Sequence, residues 1–150
     1  MYEKILVPVD GSDTATRGLD EAIRLAKSQG ATLRLLHVVN DLAALASPEA
    51  ALYSDQLLER FRAHGQAVLA TAEARAREAG LKPETRCVEV AGGPAGEAIV
   101  EEARRWPAQL IVVGTHGRRG LRRLVLGSDA EHIVRTSPVP VLLVRAPGSE

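Results

Sequence analysis

A chain of 150 residues suits one compact domain, large enough to bury roughly 70% of the surface its unfolded form would expose. Basic and acidic residues balance at 19 each and aromatic residues make up only 3%, so neither a net field nor stacking platforms favour a nucleic acid or an anionic membrane as partner. The apolar runs are strand-sized, Met1-Tyr2-Glu3-Lys4 leads straight into one of them, and Cys87 is the single cysteine; the expectation is a cytoplasmic protein without signal peptide, membrane span or internal disulfide.

Ile5 to Val9 reads as a first strand, followed by the turn Asp10-Gly11-Ser12-Asp13. A helix from about Thr14 to Gln29 buries Leu19, Ala22, Ile23 and Ala26 and is capped by Gly30. Leu33 to Val39 is a second buried strand, and an Ala-rich connection of undetermined form leads to a long helix from about Ser54 to Ala79, closed by Gly80. Thr85 to Val90 is a third strand, less apolar and so placed nearer a sheet edge. Gly92-Gly93-Pro94 makes a turn into a proline-started helix that runs to about Arg105, with a phosphate loop as the competing reading. Leu110 to Val113 is a fourth strand, apolar enough to be buried on both faces. A short helix from Ser128 to about Thr136 and a last strand from Val139 to Val144 complete the pattern, and Pro147 onward reads as a loose tail after a domain of residues 1–146. Strands alternating with helices predict an α/β fold, a single doubly wound domain with a five-stranded parallel sheet and helices on both faces. Pro138 and Pro140 bracket the start of the last strand, which favours an edge.

Between Leu110 and Ser128 the sequence LIVVGTHGRRGLRRLVLGS spaces its glycines as G-x2-G-x9-G-S, at Gly114, Gly117 and Gly127. Alone, Gly114 and Gly117 read as a tight turn. A glycine at the carboxyl end of a buried strand also lets the backbone approach a ligand closely, while Gly127-Ser128 opens a helix whose unpaired N–H groups, positive dipole end and hydroxyl suit phosphate. His116, between the first two glycines, is a candidate pocket residue. Arg118 and Arg119 offer forked hydrogen bonds to phosphate oxygens, whereas the whole run with Arg122 and Arg123 also reads as a solvated or partner-facing loop. Asp129 cuts both ways: in the first helical turn its carboxylate complements the dipole, but aimed at a phosphate it would repel unless a magnesium ion intervened. Asp10 ends an apolar strand and is either a ligand-facing carboxylate or a turn-stabilising group. The nucleophile of a haloacid-dehalogenase-type phosphatase is disfavoured, because Ser12 stands where that chemistry wants a second Asp. His37, His64 and His132 show no metal-ligand spacing, so no protein-held metal is expected, and Cys87 reads as a small buried strand residue rather than a redox group.

The opening KILVPVDGSD, the LLHVVND segment, the GTHGRRGLRRLVLGS block and the closing SPVPVLLVR follow the order found in the universal stress protein family. Along essentially its whole length the chain resembles the ATP-binding branch of that family. The resemblance implies the strand order 3-2-1-4-5, which puts the topological switch point, the usual ligand crevice of such sheets, between the first and fourth strands. It implies Pro8 and Val9 in the pocket wall, Asp10 beside adenine and ribose, and Val38 recognising adenine through its backbone. Residues and resemblance together give a nucleotide site of Pro8, Val9, Asp10, Val38, Gly114, His116, Gly117, Arg118, Arg119, Gly127, Ser128 and Asp129. The ligand is ATP, or ADP or AMP, with any Mg2+ held through phosphates. The block departs from many ATP-binding members at Asp129, where they carry a small apolar residue. The function implied is a homodimeric nucleotide-responsive stress or signalling module, paired through Val139–Val144 and read by a regulatory protein partner. No G-x4-G-K-[ST], G-x-G-x-x-G or G-x-S-x-G motif is present and no lysine follows the phosphate-binding glycines, which argues against efficient phosphoryl transfer. Slow ATP hydrolysis or autophosphorylation through Ser128 or Thr115, and a dimeric interaction module with a vacant site, stand as the alternatives.

Overall fold

The computed structural model of the chain describes residues 1–40, 47–115 and 126–145. In chain order the elements are β1 (Lys4–Pro8), α1 (Asp13–Gln29), β2 (Thr32–Val39), α2 (Pro48–Ala51), α3 (Ser54–Glu78), β3 (Glu84–Glu89), α4 (Ala95–Arg105), β4 (Leu110–Gly114), α5 (Ser128–Thr136) and β5 (Val141–Val144). All five strands are parallel, in the order β3-β2-β1-β4-β5. β3 and β5 are the edges, as low apolar content in one and bracketing prolines in the other predict.

Alternation along the strands divides the core in two. Ile5, Val7, Leu33, Leu35, Leu110 and Val112 face α1 and α3, where they meet Leu19, Ala22, Ala26, Leu69 and Ala76. Leu6, Leu36, Ile111 and Val113 face α4 and α5, against Ile99, Val100, Ala103, Trp106 and Ile133. A strand buried on both faces needs apolar residues at consecutive positions, which is why Ile5 to Val7 and Leu110 to Val113 read as unbroken apolar runs.

Helix ends follow their local chemistry. Ser12 caps α1, its Oγ accepting from the Ala15 N–H, and Gly30 closes the helix in the left-handed region at φ 68°. Pro94, with φ −73°, precedes α4 as its N-cap rather than as its first helical residue. Among the described residues of the Ala-rich connection is a short helix, α2, opened by Pro48. Several strand ends shift from expectation by a residue or two, and two of these shifts have local causes. β1 stops at Pro8 instead of Val9, for a reason that belongs to the site, and β5 starts at Val141 instead of Val139. Before β5, Ser137 Oγ bonds the Val139 backbone, and Pro140 has only its carbonyl to offer, which accepts from the Ile111 N–H at 3.1 Å. Cys87 is half-buried rather than buried, and burial together with nearby Glu89 pushes its thiol pKa up, away from thiolate reactivity. No helix among the described residues is long and apolar enough to cross a membrane.

Candidate functional site

β1 is the central strand, yet at its carboxyl end it lets go of both neighbours. Lys4, Leu6 and Pro8 turn their peptide groups toward β4, as the bond from the Gln109 N–H to the Lys4 carbonyl shows. Proline has no N–H to give, and the β1–β4 register runs only through Ile5↔Leu110 and Leu6↔Ile111. Toward β2 the last bond runs from the Val9 N–H to the Leu36 carbonyl at 2.8 Å. The ladder's next step would join the Val38 N–H to the Val9 carbonyl, but the register ends at Pro8↔Leu36. The Val9 carbonyl accepts instead from Nδ1 of buried His37 at 2.9 Å. By strand parity the Val38 N–H and C=O therefore point into the space that β1 has left, whereas the Val39 carbonyl points the other way, to the Val90 N–H.

The chain leaving β1 is held by its own side chains. Asp10 is half-buried and one carboxylate oxygen, Oδ1, accepts from the Ser12 N–H at 2.9 Å, while Gly11 between them takes φ 83°. This is the turn-stabilising role weighed for Asp10, and it occupies one of its two oxygens. The side chains of Val9 and Val38 belong to the two cores; Val38 borders the crevice through its backbone, while the N–H and C=O of Val9 are already bonded to Leu36 and His37. Pro8 is half-buried at the end of β1.

Of its two readings, Gly114 does not take the tight turn. It is the last residue of β4, paired with Val144, and its φ is not positive. What it provides is closeness: a Cβ at this position would lie 2.8 Å from the carbonyl oxygen of Thr14 and 2.9 Å from its carbonyl carbon. The first turn of α1, and with it the Asp10 turn, is thereby laid against the carboxyl end of β4. After Gly114, Thr115 is 7% exposed, donates its N–H to the Val144 carbonyl and accepts from the Gly127 N–H at 2.7 Å. That burial makes its hydroxyl a poor acceptor for autophosphorylation, whereas Ser128 is exposed. Gly127 caps α5 with φ −60° and ψ 156°, and Ser128 begins the helix. His116, Gly117, Arg118 and Arg119, with Arg122 and Arg123, lie outside the described residues.

Asp129 finds a partner that spacing did not reveal. Its Oδ1 accepts from the Gly96 N–H of α4 at 2.9 Å, so the carboxylate is held at the amino terminus of a neighbouring helix whose own cap residue, Pro94, supplies no side-chain bond. Gly96 is buried and lets α4 and α5 approach closely, since a Cβ there would lie 3.0 Å from both the Asp129 carbonyl oxygen and His132 Cβ. Asp129→Ala should cost about 1 kcal/mol in urea unfolding, the usual size of a lost cap. Asp129→Asn, which keeps an acceptor oxygen, should cost clearly less. Equal stability of all three proteins would assign the bond no weight.

A sequence model of the universal stress protein family matches residues 1–145. The chain belongs to that family. It is 37% identical over 150 residues to universal stress protein MJ0531 of Methanocaldococcus jannaschii, covering 100% of this chain and 86% of that protein. Among solved structures, universal stress protein UspA from Lactobacillus plantarum superimposes with a TM-score of 0.83 at 29% identity, covering 96% of this chain and 98% of that one. A universal stress protein solved in complex with cAMP superimposes with a TM-score of 0.68 at 30% identity, covering 96% of this chain and 97% of that one. The sheet order implied by the family resemblance is the order found. Residues at the border of the crevice to which the sequence motifs assign no role are Thr14, against which Gly114 packs, and the pair His37 and Gly65, where a glycine interrupting a helical pattern is the readable sign.

Proposed function

We propose that this universal stress protein binds an adenine nucleotide in the crevice bounded by the carboxyl ends of β1, β2 and β4 and the amino terminus of α5. Occupancy of that crevice, rather than rapid turnover, is what a homodimer conveys to a protein partner. The observation that carries the reading is the release of β1 from both neighbours at Pro8 and Val9. It lies at the switch point where doubly wound sheets take their ligands, and it leaves peptide groups of β2 facing the gap. The family member bound to cAMP, at 30% identity, supports an adenine nucleotide as the ligand class. The first turn of α5 offers backbone N–H groups for phosphate, with Ser128 beside them, and ATP with Mg2+ held through its phosphates is the expected form. Dimerisation is supported by β5, an edge strand whose four residues are all half-buried, and by Val134 on α5, 47% exposed; such an apolar edge suits isologous pairing.

Calorimetry with ATP, ADP and AMP on nucleotide-stripped protein, with and without Mg2+, should show micromolar binding. Asp10→Asn keeps the oxygen that accepts from Ser12 and so keeps the turn, but it removes the charge. It should leave thermal stability nearly unchanged and weaken nucleotide binding about tenfold or more, the size of a hydrogen bond to a charged group. Unchanged affinity would assign Asp10 to the turn alone. Sedimentation of the same sample at micromolar concentration should give a dimer, and a monomer would remove the β5 pairing. A wild-type protein that binds none of the three nucleotides would leave a dimeric interaction module as the better reading.

A further inference from the structure

We propose that His37 is a positioning residue of the nucleotide site, holding the end of β1 out of the sheet so that the Val38 peptide stays available to a purine edge. The inference rests on the nucleotide reading above and names the feature that would give it base specificity. His37 lies on β2, 3% exposed, with its ring on the α3 side of the sheet. Its Nδ1 is 2.9 Å from the Val9 carbonyl, and because a carbonyl only accepts, Nδ1 carries the proton. A buried carbonyl must find a donor. In a continued parallel ladder that donor would be the Val38 N–H; here it is the imidazole, and the ladder ends one step early.

The fold accommodates this ring at a recognisable cost. Gly65 sits inside α3, where glycine is worse than alanine by about 1 kcal/mol, and its φ is not positive, so no backbone conformation demands it. A Cβ at Gly65 would lie 2.8 Å from His37 Cδ2 and 3.3 Å from Nε2. An aliphatic residue at position 37 would pack against an ordinary helix without this concession. His64 adds an edge-on ring contact at 6.0 Å, and Cys87 is the β3 residue opposite His37 in register. The imidazole is thus gripped by α3 and β3 while its Nδ1 reaches the β1 exit.

The chemical consequence concerns the base. The Val38 peptide directs an N–H and a C=O toward the crevice. Adenine offers the complement, an acceptor ring nitrogen beside a donor amino group; guanine offers a donor ring N–H beside an acceptor oxygen. If the ladder advanced by one bond, the Val38 N–H would be consumed and this discrimination lost.

The test uses the full chain and two readouts. In the nucleotide-free protein, amide hydrogen exchange at Val38 should be about tenfold or more slower in His37→Leu than in wild type, as the Val9 carbonyl returns to the ladder. His37→Asn, whose side-chain amide donates from nearly the Nδ1 position, should exchange like wild type. In binding, wild type should prefer ATP to GTP, His37→Leu should lose about tenfold of that preference, and His37→Asn should keep most of it. Gly65→Ala, which leaves His37 in place but pushes on the ring, should move both readouts in the direction of His37→Leu and serves if the latter does not fold. Wild-type Val38 protection together with a wild-type ATP preference in His37→Leu, or in Gly65→Ala if that is the variant that folds, would overturn the role of His37. Failure of wild type to bind either nucleotide would overturn the nucleotide reading instead, and with it any role for His37 in base selection.

Discussion

Gly114→Ala should lower stability by about 3 kcal/mol, the upper end of the usual cost of overpacking, and weaken nucleotide binding with it. The added methyl would lie 2.8 Å from the Thr14 carbonyl oxygen, 2.9 Å from its carbonyl carbon and 3.1 Å from Thr14 Cβ. Two of those atoms are backbone, so no rotamer change relieves the contact and either β4 or the first turn of α1 must move. Gly18, on the same helix, already packs toward the Gly114 N–H, so α1 has little room to slide along the strand. A shift of α1 carries Ser12 and the Asp10 turn with it, since Ser12 is both the cap of α1 and the donor to Asp10. In thermal unfolding the effect should be a fall of about 10 °C for a domain of this size. Gly114→Val should fold poorly or not at all, which makes it unsuitable as a specific probe of the ligand site. If Gly114→Ala instead kept full stability and lost only affinity, the glycine would be serving the ligand's approach and not the packing of α1.

Glu102→Gln should cost about 3 kcal/mol, because it removes the charge from a buried ion pair and leaves the cation behind. The Glu102 side chain is 4% exposed and lies 2.6 Å from Nη1 of Arg34 and 3.6 Å from Nε of Arg86. Arg34 also pairs with Glu84 at 2.6 Å and stacks over Trp106 at 4.7 Å, with Lys4 approaching the same ring at 5.6 Å. Glu84 keeps Arg34 partly compensated, which places the expected loss near the lower end of the range for broken buried pairs. Arg34→Met combined with Glu102→Met should recover most of the stability, since an apolar pair of similar volume needs no charge compensation. A double variant as unstable as Glu102→Gln would show that the network specifies the seating of α4 on the sheet beyond its charge balance. Nucleotide affinity should survive both changes, because this cluster joins α4 to β2 and β3 through Arg34 and Glu84, before the strands reach their carboxyl ends.

Much of the architecture was legible because the signals are local. A largely apolar segment marked Leu33 to Val39, an unbroken apolar run marked Leu110 to Val113, period-3.6 apolar positions marked α1, and glycines at positions 30 and 80 marked where helices stop. The site was legible as a set of motifs but not as a set of reasons. For Gly114 the motif offers a turn or a close approach to a ligand, and the packing constraint imposed by the backbone of Thr14 is invisible in it because Thr14 is remote in sequence. Asp129 was weighed between its own helix and a phosphate, whereas its hydrogen bond goes to Gly96, 33 residues away. His37 carries no metal-ligand spacing, and the sign of its position in the sequence is Gly65, a glycine in the long helix pattern that makes room for a bulky ring. The early end of β1 required two facts at once, a proline that cannot donate and a histidine that diverts a carbonyl, and only the second depends on the folded chain.

The bond between the Thr115 carbonyl and the Gly127 N–H joins the two ends of the segment that separates β4 from α5. It holds the Gly127 cap of α5 against the carboxyl end of β4, so two borders of the candidate crevice are fixed to each other through the main chain. Both partners are backbone groups, so only a proline at position 127, which has no N–H to give, would remove the bond by substitution. The spacing between strand end and helix start is therefore insulated from side-chain drift.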